Sequence, residues 1–274
     1  MFNSPAPEPP SGHAIQVLQL TDFHFKANVG DRLLGIDTEL SFRDTLATAL
    51  RDHPQPDLAL LTGDLVQDAS PMGYQRLGKS LNALPCPAYC LPGNHDDPAL
   101  LASALAGGKI HAQAQILVGA WQIICLNSSV PQSPRGLLAD SELTLLSDLL
   151  GQEPERFALI ALHHHPIASG SAWMDTMQLE NSKEFFDVLG RYPRVKGAVF
   201  GHVHQEMDAQ HQGLRIMGTP STCFQFKPGQ TRFTLDVLPP GYRWLELYES
   251  GEIRSSVARA PSLPPGFDPT SAGY

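Results

Sequence analysis

"CPAYCLPGNHD", residues 86–96, places a short apolar run directly before an amide, an imidazole and a carboxylate. The run has the length and composition of a strand that is buried on both faces. Gly93 allows unusual backbone angles and lets neighbouring backbone approach a ligand closely. By itself the GNHD tetrapeptide is also compatible with an ordinary turn, so its meaning depends on whether other strand ends carry similar groups.

Five further apolar runs have the length of buried strands, and two segments between runs show helical spacing of apolar residues. The first such segment spans 74–84; the second extends from a possible N-cap at Asp140 to Gly151. Strands that alternate with helices are typical of βαβ units. The five runs are AIQVLQL (14–20), DLALL (57–61), WQIICL (121–126), FALIAL (157–162) and VKGAVF (195–200).

After residue 213 the pattern changes to short segments that favour antiparallel strands, with Ser250–Gly251 as a hairpin turn. The sequence therefore predicts an α/β fold with two sheets and helices on their outer faces, in a single domain over 14–258. Residues 1–13 and 259–274 are rich in Pro and small residues and are predicted to be loose. The segments after 213 are GLRIMGT (213–219), TRFTLDVL (231–238), YRWLELYE (242–249) and EIRSSVAR (252–259).

Composition narrows the function classes. The chain has 274 residues, of which 42% are hydrophobic and 17% charged, as expected for a globular protein. The net charge of -9 argues against a nucleic acid polymer as partner. There is no apolar run long enough to predict a membrane partner and no signal-peptide pattern, so the expected location is cytoplasmic. The four unevenly spaced cysteines are expected to be buried thiols.

Polar groups that can bind a metal follow five of the six predicted strands, and seven of the eleven histidines lie in these segments. Strand ends of an open α/β sheet meet at one edge, so the groups are expected to converge. Imidazoles mixed with carboxylates suit iron, manganese, zinc or cobalt. About seven ligands suit two ions that share a carboxylate, clamp phosphoryl oxygens and activate a bridging water for phosphoester hydrolysis. The segments are TDFH (21–24), TGD (62–64), GNHD (93–96), HHHP (163–166) and GHVH (201–204).

The ordered set DxH, GD, GNHD, H and GHxH resembles the calcineurin-like metallophosphoesterases. Three longer stretches are similar to the bacterial class III 3',5'-cyclic AMP phosphodiesterases, and the similarity covers roughly residues 14 to 258. The resemblance implies a four-layer αββα sandwich in which two mixed sheets pack face to face. The stretches are LHHHPIASGSAW (162–173), GHVHQEMD (201–208) and TPSTCFQFKPG (219–229).

The resemblance also implies roles for single residues. His164 is selected from the triple histidine because the family pattern is a histidine followed by His-Pro. His95 would stabilise the transition state or protonate the leaving oxygen, and no role is assigned to Asp96. The implied first-ion ligands are Asp22, His24 and His204, the second-ion ligands are Asn94, His164 and His202, and Asp64 bridges the two ions. The implied catalytic residues are His95, Asp64 and Asn94, and the implied substrate contacts are His24, Asp64, Asn94, His95, His164 and His204.

The function implied by the resemblance is hydrolysis of 3',5'-cyclic AMP to 5'-AMP by a metal-bridging hydroxide. The implied ions are iron with iron or manganese, with zinc or cobalt as alternatives. Another small phosphoester remains an alternative substrate, and a non-catalytic metal-binding scaffold an alternative class. Trp173, Phe224 and Phe226 could stack on adenine or belong to the core. The oligomeric state, monomer or homodimer, is left open.

Overall fold

Two six-stranded sheets form the body of the protein in a computed structural model that describes residues 14–104 and 109–273. The strands are β1 (Ile15–Leu20), β2 (Leu58–Thr62), β3 (Ala88–Leu91), β4 (Ile110–His111), β5 (Gln115–Val118), β6 (Trp121–Cys125), β7 (Ser129–Val130), β8 (Ser133–Gly136), β9 (Phe157–Ala161), β10 (Val195–Phe200), β11 (Met207–His211), β12 (Leu214–Gly218), β13 (Gln225–Phe226), β14 (Leu235–Asp236), β15 (Gly241–Leu247) and β16 (Ile253–Arg259). The helices are α1 (Thr38–Asp52), α2 (Pro71–Leu81), α3 (Pro98–Ala104), α4 (Asp140–Gln152) and α5 (Ser182–Leu189), with a 3-10 turn at Met174–Met177.

Both sheets mix parallel and antiparallel strands, which confirms the predicted sheet type. The first sheet has the order β16-β15-β1-β2-β3-β4 and the second β11-β12-β10-β9-β6-β5. Strands β1, β2 and β3 are parallel neighbours, and so are β6, β9 and β10. Since parallel strands end at the same edge, each sheet collects the segments that follow its strands in one place.

Three apolar cores separate four layers. Alternate side chains of a strand point to opposite faces, so Val17 of β1 lies in the core between the sheets and Leu18 in the core beneath α1 and α2. In the second sheet, Leu159 of β9 joins the central core and Ile160 the core beneath α4 and α5. Burial on both faces explains why these strands read as continuous apolar runs, and the αββα sandwich is confirmed.

The predicted helices form, but their ends differ by a few residues. The first predicted segment, 74–84, is helical only to Leu81, and Ser70 caps its N-terminus by accepting from Gly73 N at 3.1 Å. The expected N-cap at Asp140 is wrong, because Asp140 is already helical and Ala139 takes the cap position. A negative charge in the first turn is favourable beside the helix dipole, so Asp140 suits either position.

Beyond residue 213 the antiparallel prediction is correct in part. β15 and β16 form the predicted hairpin, with Gly251 at φ 87° in its turn. β12 is antiparallel to β11 but parallel to β10. The predicted strand over 231–238 is mostly wrong, because only Leu235–Asp236 pairs, while Phe233 and Leu235 pack against the core under α4 and α5. Side-chain packing therefore overrides the strand propensity of this segment.

Residues 260–273 contain no helix or strand, yet several contacts attach them to the body of the protein. Asp268 N donates to Leu34 O at 3.0 Å, and the Phe267 side chain packs against the core. The prediction for residues 1–13 lies outside the described residues. All four cysteines are free and buried, as expected. Within 14–104 and 109–273, no helix combines the length and the apolar character needed to cross a bilayer.

Candidate metal centre

The structure brings the predicted metal ligands of both sheets together at the carboxyl ends of β1, β2, β3, β9 and β10. Four overlapping groups of donor atoms form there, with the atoms of each group within 4.8 Å of one another. Nearly all of these side chains are buried. The groups are His163, His164 and His202; Asp22, His24 and His204; His24, Asp64 and His95; and Asp22, Asp64 and His163.

The backbone at the centre is unusual. Five of the seven predicted ligands have φ between 47° and 65°, a left-handed conformation that few residues other than glycine adopt. Asp and His tolerate it better than most, but such conformations typically cost about 1–3 kcal/mol each and concentrate at functional sites. The turns after the strands thus hold these side chains in place at a cost in local stability. The five residues are Asp22, His24, Asp64, His202 and His204.

One donor group consists of two imidazoles and a carboxylate. His204 Nε2 lies 3.2 Å from Asp22 Oδ1 and 3.3 Å from His24 Nε2. His204 Nδ1 donates to Phe224 O at 2.9 Å, and His24 Nδ1 lies 2.8 Å from Gln67 Oε1. Burial lowers the pKa of His24 to about 3, so the ring is neutral. With the protons on Nδ1, two lone pairs and a carboxylate oxygen face one point, an arrangement that a cation stabilises.

The second donor group contains His164 and His202. The Nε2 atoms of both rings are buried and have no hydrogen-bond partner among the described residues. Burial lowers the pKa of each well below its usual value, and the positive charge that nearby histidines can carry lowers it further. His164 Nδ1 lies 2.8 Å from Ser128 Oγ, which orients the ring. Neutral, unpartnered imidazole nitrogens in a buried site fit metal ligation.

His163 lies closer to the predicted bridging carboxylate than the sequence indicated. Its Nε2 is 3.3 Å from Asp64 Oδ2 and 3.2 Å from Asn94 Oδ1, while Nδ1 donates to Thr62 O at 2.8 Å. The selection of His164 stays a prediction, with His163 as an additional donor beside it. The signal that could have found His163 is strand alternation, since Leu162 points into the outer core and the next side chain points back towards β2. His165 differs, because its Nε2 is 3.4 Å from Asp175 Oδ1.

Asp64 lies between the two donor groups. Its Oδ2 is 3.9 Å from His24 Nε2 and 3.3 Å from His163 Nε2, and its Oδ1 accepts a hydrogen bond from His95 N at 2.9 Å. Burial raises the pKa of Asp64, but His163 and His95 outweigh that effect and hold the pKa well below its usual value. An ionised carboxylate in this position can offer an oxygen ligand to a metal ion at either donor group.

Two properties were expected of Gly93, unusual backbone angles and a close approach of neighbouring groups, and the structure shows only the second. Its φ is outside the left-handed region, so the expectation of unusual backbone angles is wrong. A Cβ on Gly93 would lie 2.2 Å from Asp64 Oδ1, so only glycine lets the two turns approach this closely. Sequence reasoning gave Asp96 no role, yet its Oδ2 accepts from Gly93 N at 2.9 Å and from Leu65 N at 3.1 Å.

A cavity of about 560 Å³ opens beside the donors and has the size of a small-molecule site. Two of the three aromatic residues predicted to be able to stack on a base, Trp173 and Phe226, line it, and Phe233 joins them. Phe224 does not line it; its ring stacks on His24 at 5.6 Å and is buried. His95 also lines the cavity, and its Nδ1 donates to Gln67 O at 3.0 Å.

Two bacterial proteins are similar in sequence to nearly the whole of this chain. The 3',5'-cyclic adenosine monophosphate phosphodiesterase CpdA of Vibrio vulnificus is 42% identical over 267 residues, which cover 96% of this chain and 97% of that protein. The protein of the same name from Escherichia coli K12 is 40% identical over 269 residues, 97% of this chain and 98% of that protein.

Solved structures are similar in fold. A dimetal phosphatase from Danio rerio matches with a TM-score of 0.64 at 12% identity, over 91% of this chain and 100% of that chain. A purple acid phosphatase from yellow lupin matches with a TM-score of 0.63 at 12% identity, over 93% of this chain and 53% of that chain.

The model of the calcineurin-like phosphoesterase family matches residues 15–206, which include every predicted metal ligand. The match covers more than half of the chain, and the two bacterial relatives extend the similarity to nearly all of it. On both grounds the chain belongs to the calcineurin-like phosphoesterases.

Proposed function

We propose that the protein hydrolyses 3',5'-cyclic AMP to 5'-AMP. The observation that carries the proposal is a pair of buried donor groups on either side of Asp64, beside a cavity of nucleotide size. The relatives named as 3',5'-cyclic AMP phosphodiesterases support the same substrate, because they align with nearly the whole chain.

For the metal ions we propose iron with iron or manganese. The donor set of imidazoles, carboxylates and one amide oxygen fits these ions, and zinc or cobalt would accept it as well. Asp22, His24 and His204 would hold the first ion, and Asn94, His164 and His202 the second, with Asp64 between them. When bound, two such ions neutralise phosphoryl charge and supply an activated water as nucleophile.

His95 is proposed to act on the leaving oxygen. The Gln67 carbonyl holds the proton of His95 Nδ1, so Nε2 is the atom that can exchange a proton with a ligand in the cavity. The backbone N–H of His95 donates to Asp64 Oδ1, which fixes the residue relative to the proposed bridging carboxylate. Imidazole suits such proton transfer near neutral pH.

The proposed substrate contacts combine five of the proposed metal ligands with His95, and of these six residues Asn94 and His95 line the cavity. The phosphate would lie against the donors, and the aromatic residues of the cavity would face the nucleoside. A cytoplasmic location is proposed as well, since four free thiols suit a reducing compartment. The proposed contacts are His24, Asp64, Asn94, His95, His164 and His204.

Chromatography of the products tests the substrate. Purified protein loaded with manganese or iron is incubated with 3',5'-cyclic AMP, 2',3'-cyclic AMP or 4-nitrophenyl phosphate esters. We expect 5'-AMP from the first substrate. Cleavage of the artificial esters alone would refute the cyclic AMP assignment and keep the phosphoesterase chemistry, whereas no cleavage despite bound metal would favour the non-catalytic scaffold.

Substitutions test the assigned roles. His95→Ala removes the proposed proton donor and should lower kcat by roughly 100- to 10,000-fold. Asn94→Ala removes a proposed ligand and should lower turnover because less metal is bound. The two variants should differ in bound metal, because only Asn94 is a proposed ligand. Elemental analysis of the purified proteins measures this difference, and near-normal turnover in both variants would refute the assigned roles.

A further inference from the structure

The cavity beside the metal centre has a wall from a distant part of the chain. Ala272 and Gly273, which follow the last strand, line it. They share the cavity with residues of the metal centre and with three aromatic rings whose centroids are 5.0 to 5.5 Å apart. The lining also includes Asn94, His95, His202, Trp173, Phe226 and Phe233.

Residues 266–273, here called the wall segment, are attached to the loop between β1 and α1. Asp268 N donates to Leu34 O at 3.0 Å, and Phe267 packs against the core. The two backbones touch at Gly35 and Gly266, since a Cβ on Gly35 would lie 2.0 Å from Gly266 O. Both glycines have a left-handed backbone, with φ of 80° and 85°. The attachment therefore depends on glycine at both positions.

A turn then directs the chain to the cavity. Asp268 Oδ1 accepts hydrogen bonds from Thr270 N at 2.9 Å and from Thr270 Oγ1 at 2.6 Å. Ser271 Oγ donates to Asp268 Oδ2 at 3.3 Å. Such side-chain bonds to the following backbone fix a turn, and Ala272 comes directly after it.

We propose that the wall segment is a specificity-determining element that contacts the organic group of the phosphoester. The proposal rests on the proposed phosphoesterase function. The wall segment contributes no donor to the metal centre, whereas it shares the cavity with the aromatic rings. Contacts with a non-reacting part of a substrate supply binding energy without taking part in bond breaking. Loss of the wall should therefore weaken binding of large esters and spare the chemistry of small ones.

Two substitutions detach the wall segment from opposite sides of the same contact. Gly35→Ala places a Cβ 2.0 Å from Gly266 O, and Gly266→Ala places one 2.5 Å from Gly35 O. Gly30→Ala is the matched control, because Gly30 lies in the same loop with φ 83° and its Cβ would meet nothing within 4 Å. Faster chymotrypsin cleavage after Phe267, compared with the control, shows that the segment is detached.

KM and kcat are measured with manganese-loaded protein on 3',5'-cyclic AMP, thymidine 5'-(4-nitrophenyl phosphate) and ethyl 4-nitrophenyl phosphate. Both detaching variants should raise KM for the two nucleoside esters about five-fold or more, a loss of about 1 kcal/mol. Values for the ethyl ester should stay within about two-fold of the parent, as should all values for the Gly30→Ala control.

Three results would overturn the proposal. In the first, the detached variants show the KM values of the control. In the second, activity on all three substrates falls equally. In the third, cleavage after Phe267 is unchanged in both variants, so that this contact does not hold the segment.

Failure of the proposed function gives a different result. A parent protein that cleaves the thymidine ester but leaves cyclic AMP intact refutes the cyclic AMP assignment, while the thymidine and ethyl esters still test the wall segment.

Discussion

Gln67 contacts two histidines of the centre through two different groups. Its side-chain Oε1 lies 2.8 Å from His24 Nδ1, and its backbone O accepts from His95 Nδ1 at 3.0 Å. An acceptor on one ring nitrogen decides which nitrogen carries the proton and how the ring is oriented. Gln67 therefore sets which ring nitrogen carries the proton, and how the ring is oriented, in a proposed ligand and in the proposed proton donor, without binding metal itself.

Gln67→Ala separates these two contacts. The substitution removes the acceptor of His24 and keeps the backbone carbonyl that holds His95. Losing the partner of a ligating histidine typically lowers metal affinity roughly 10- to 100-fold, and we expect a loss of this size. Calorimetric titration of the metal-free protein with Mn²⁺ measures it. Gln67→Glu, which keeps an acceptor, is the control, and unchanged Mn²⁺ affinity in Gln67→Ala would contradict this role.

At the scale of elements, one carboxylate joins the turns that follow β2 and β3. Asp96 accepts from Leu65 N at 3.1 Å, Val66 N at 3.3 Å and Gly93 N at 2.9 Å. Tyr74 of α2 adds its hydroxyl at 3.0 Å. Burial raises the pKa of Asp96 to about 6, and Asp64 acts in the same direction, but these bonds favour the ionised form. The two turns are thereby held at a fixed distance from each other.

Asp96→Ala leaves three backbone N–H groups without this acceptor. An unsatisfied buried donor costs about 1 kcal/mol or more, so the free energy of unfolding should fall by about 3 kcal/mol. Tyr74→Phe removes one hydroxyl and should cost about 1 kcal/mol. Urea unfolding of the metal-free proteins at pH 7 compares the two variants. Equal stability of Asp96→Ala and the parent would show that the turns do not need this carboxylate.

The strands and the turns that follow them show how much of the fold and of the site could be predicted from the sequence. Strands buried on both faces are continuous apolar runs, so six strands were visible in the sequence, and the donors directly follow five of them. Contacts between distant segments have no such local pattern. The bond of Gln67 to His24 spans 43 residues, and the attachment of Asp268 to Leu34 spans most of the chain. Segment 231–238 has the composition of a strand, but only Leu235–Asp236 pairs. Phe233 packs against the core under α4 and α5 instead.

For the whole molecule, the centre is a junction between the sheets. The proposed ligands Asp22, Asp64 and Asn94 follow strands of the first sheet, whereas His164 and His202 follow strands of the second. Polar side-chain bonds join the sheets at this edge, among them Gln19 Nε2 to Phe200 O at 3.3 Å and His163 Nδ1 to Thr62 O at 2.8 Å. Bound ions would add to these connections between two sheets whose facing surfaces are mainly apolar away from this edge.

Metal removal should consequently lower the stability of the whole domain. A ligand that binds only the folded state stabilises it by about 2.7 kcal/mol when present at about 100 times its Kd. In a chain of this size, 1 kcal/mol changes Tm by roughly 2–4 °C, so chelation should lower Tm by about 5–10 °C. Differential scanning calorimetry with and without a chelator measures the difference. Asp64→Asn should lose most of it because the shared ligand is gone, whereas Asp68→Asn, which alters an exposed carboxylate in the same turn region, should keep it. A chelator effect of the same size in both variants would mean that the stabilising ions bind elsewhere than at Asp64.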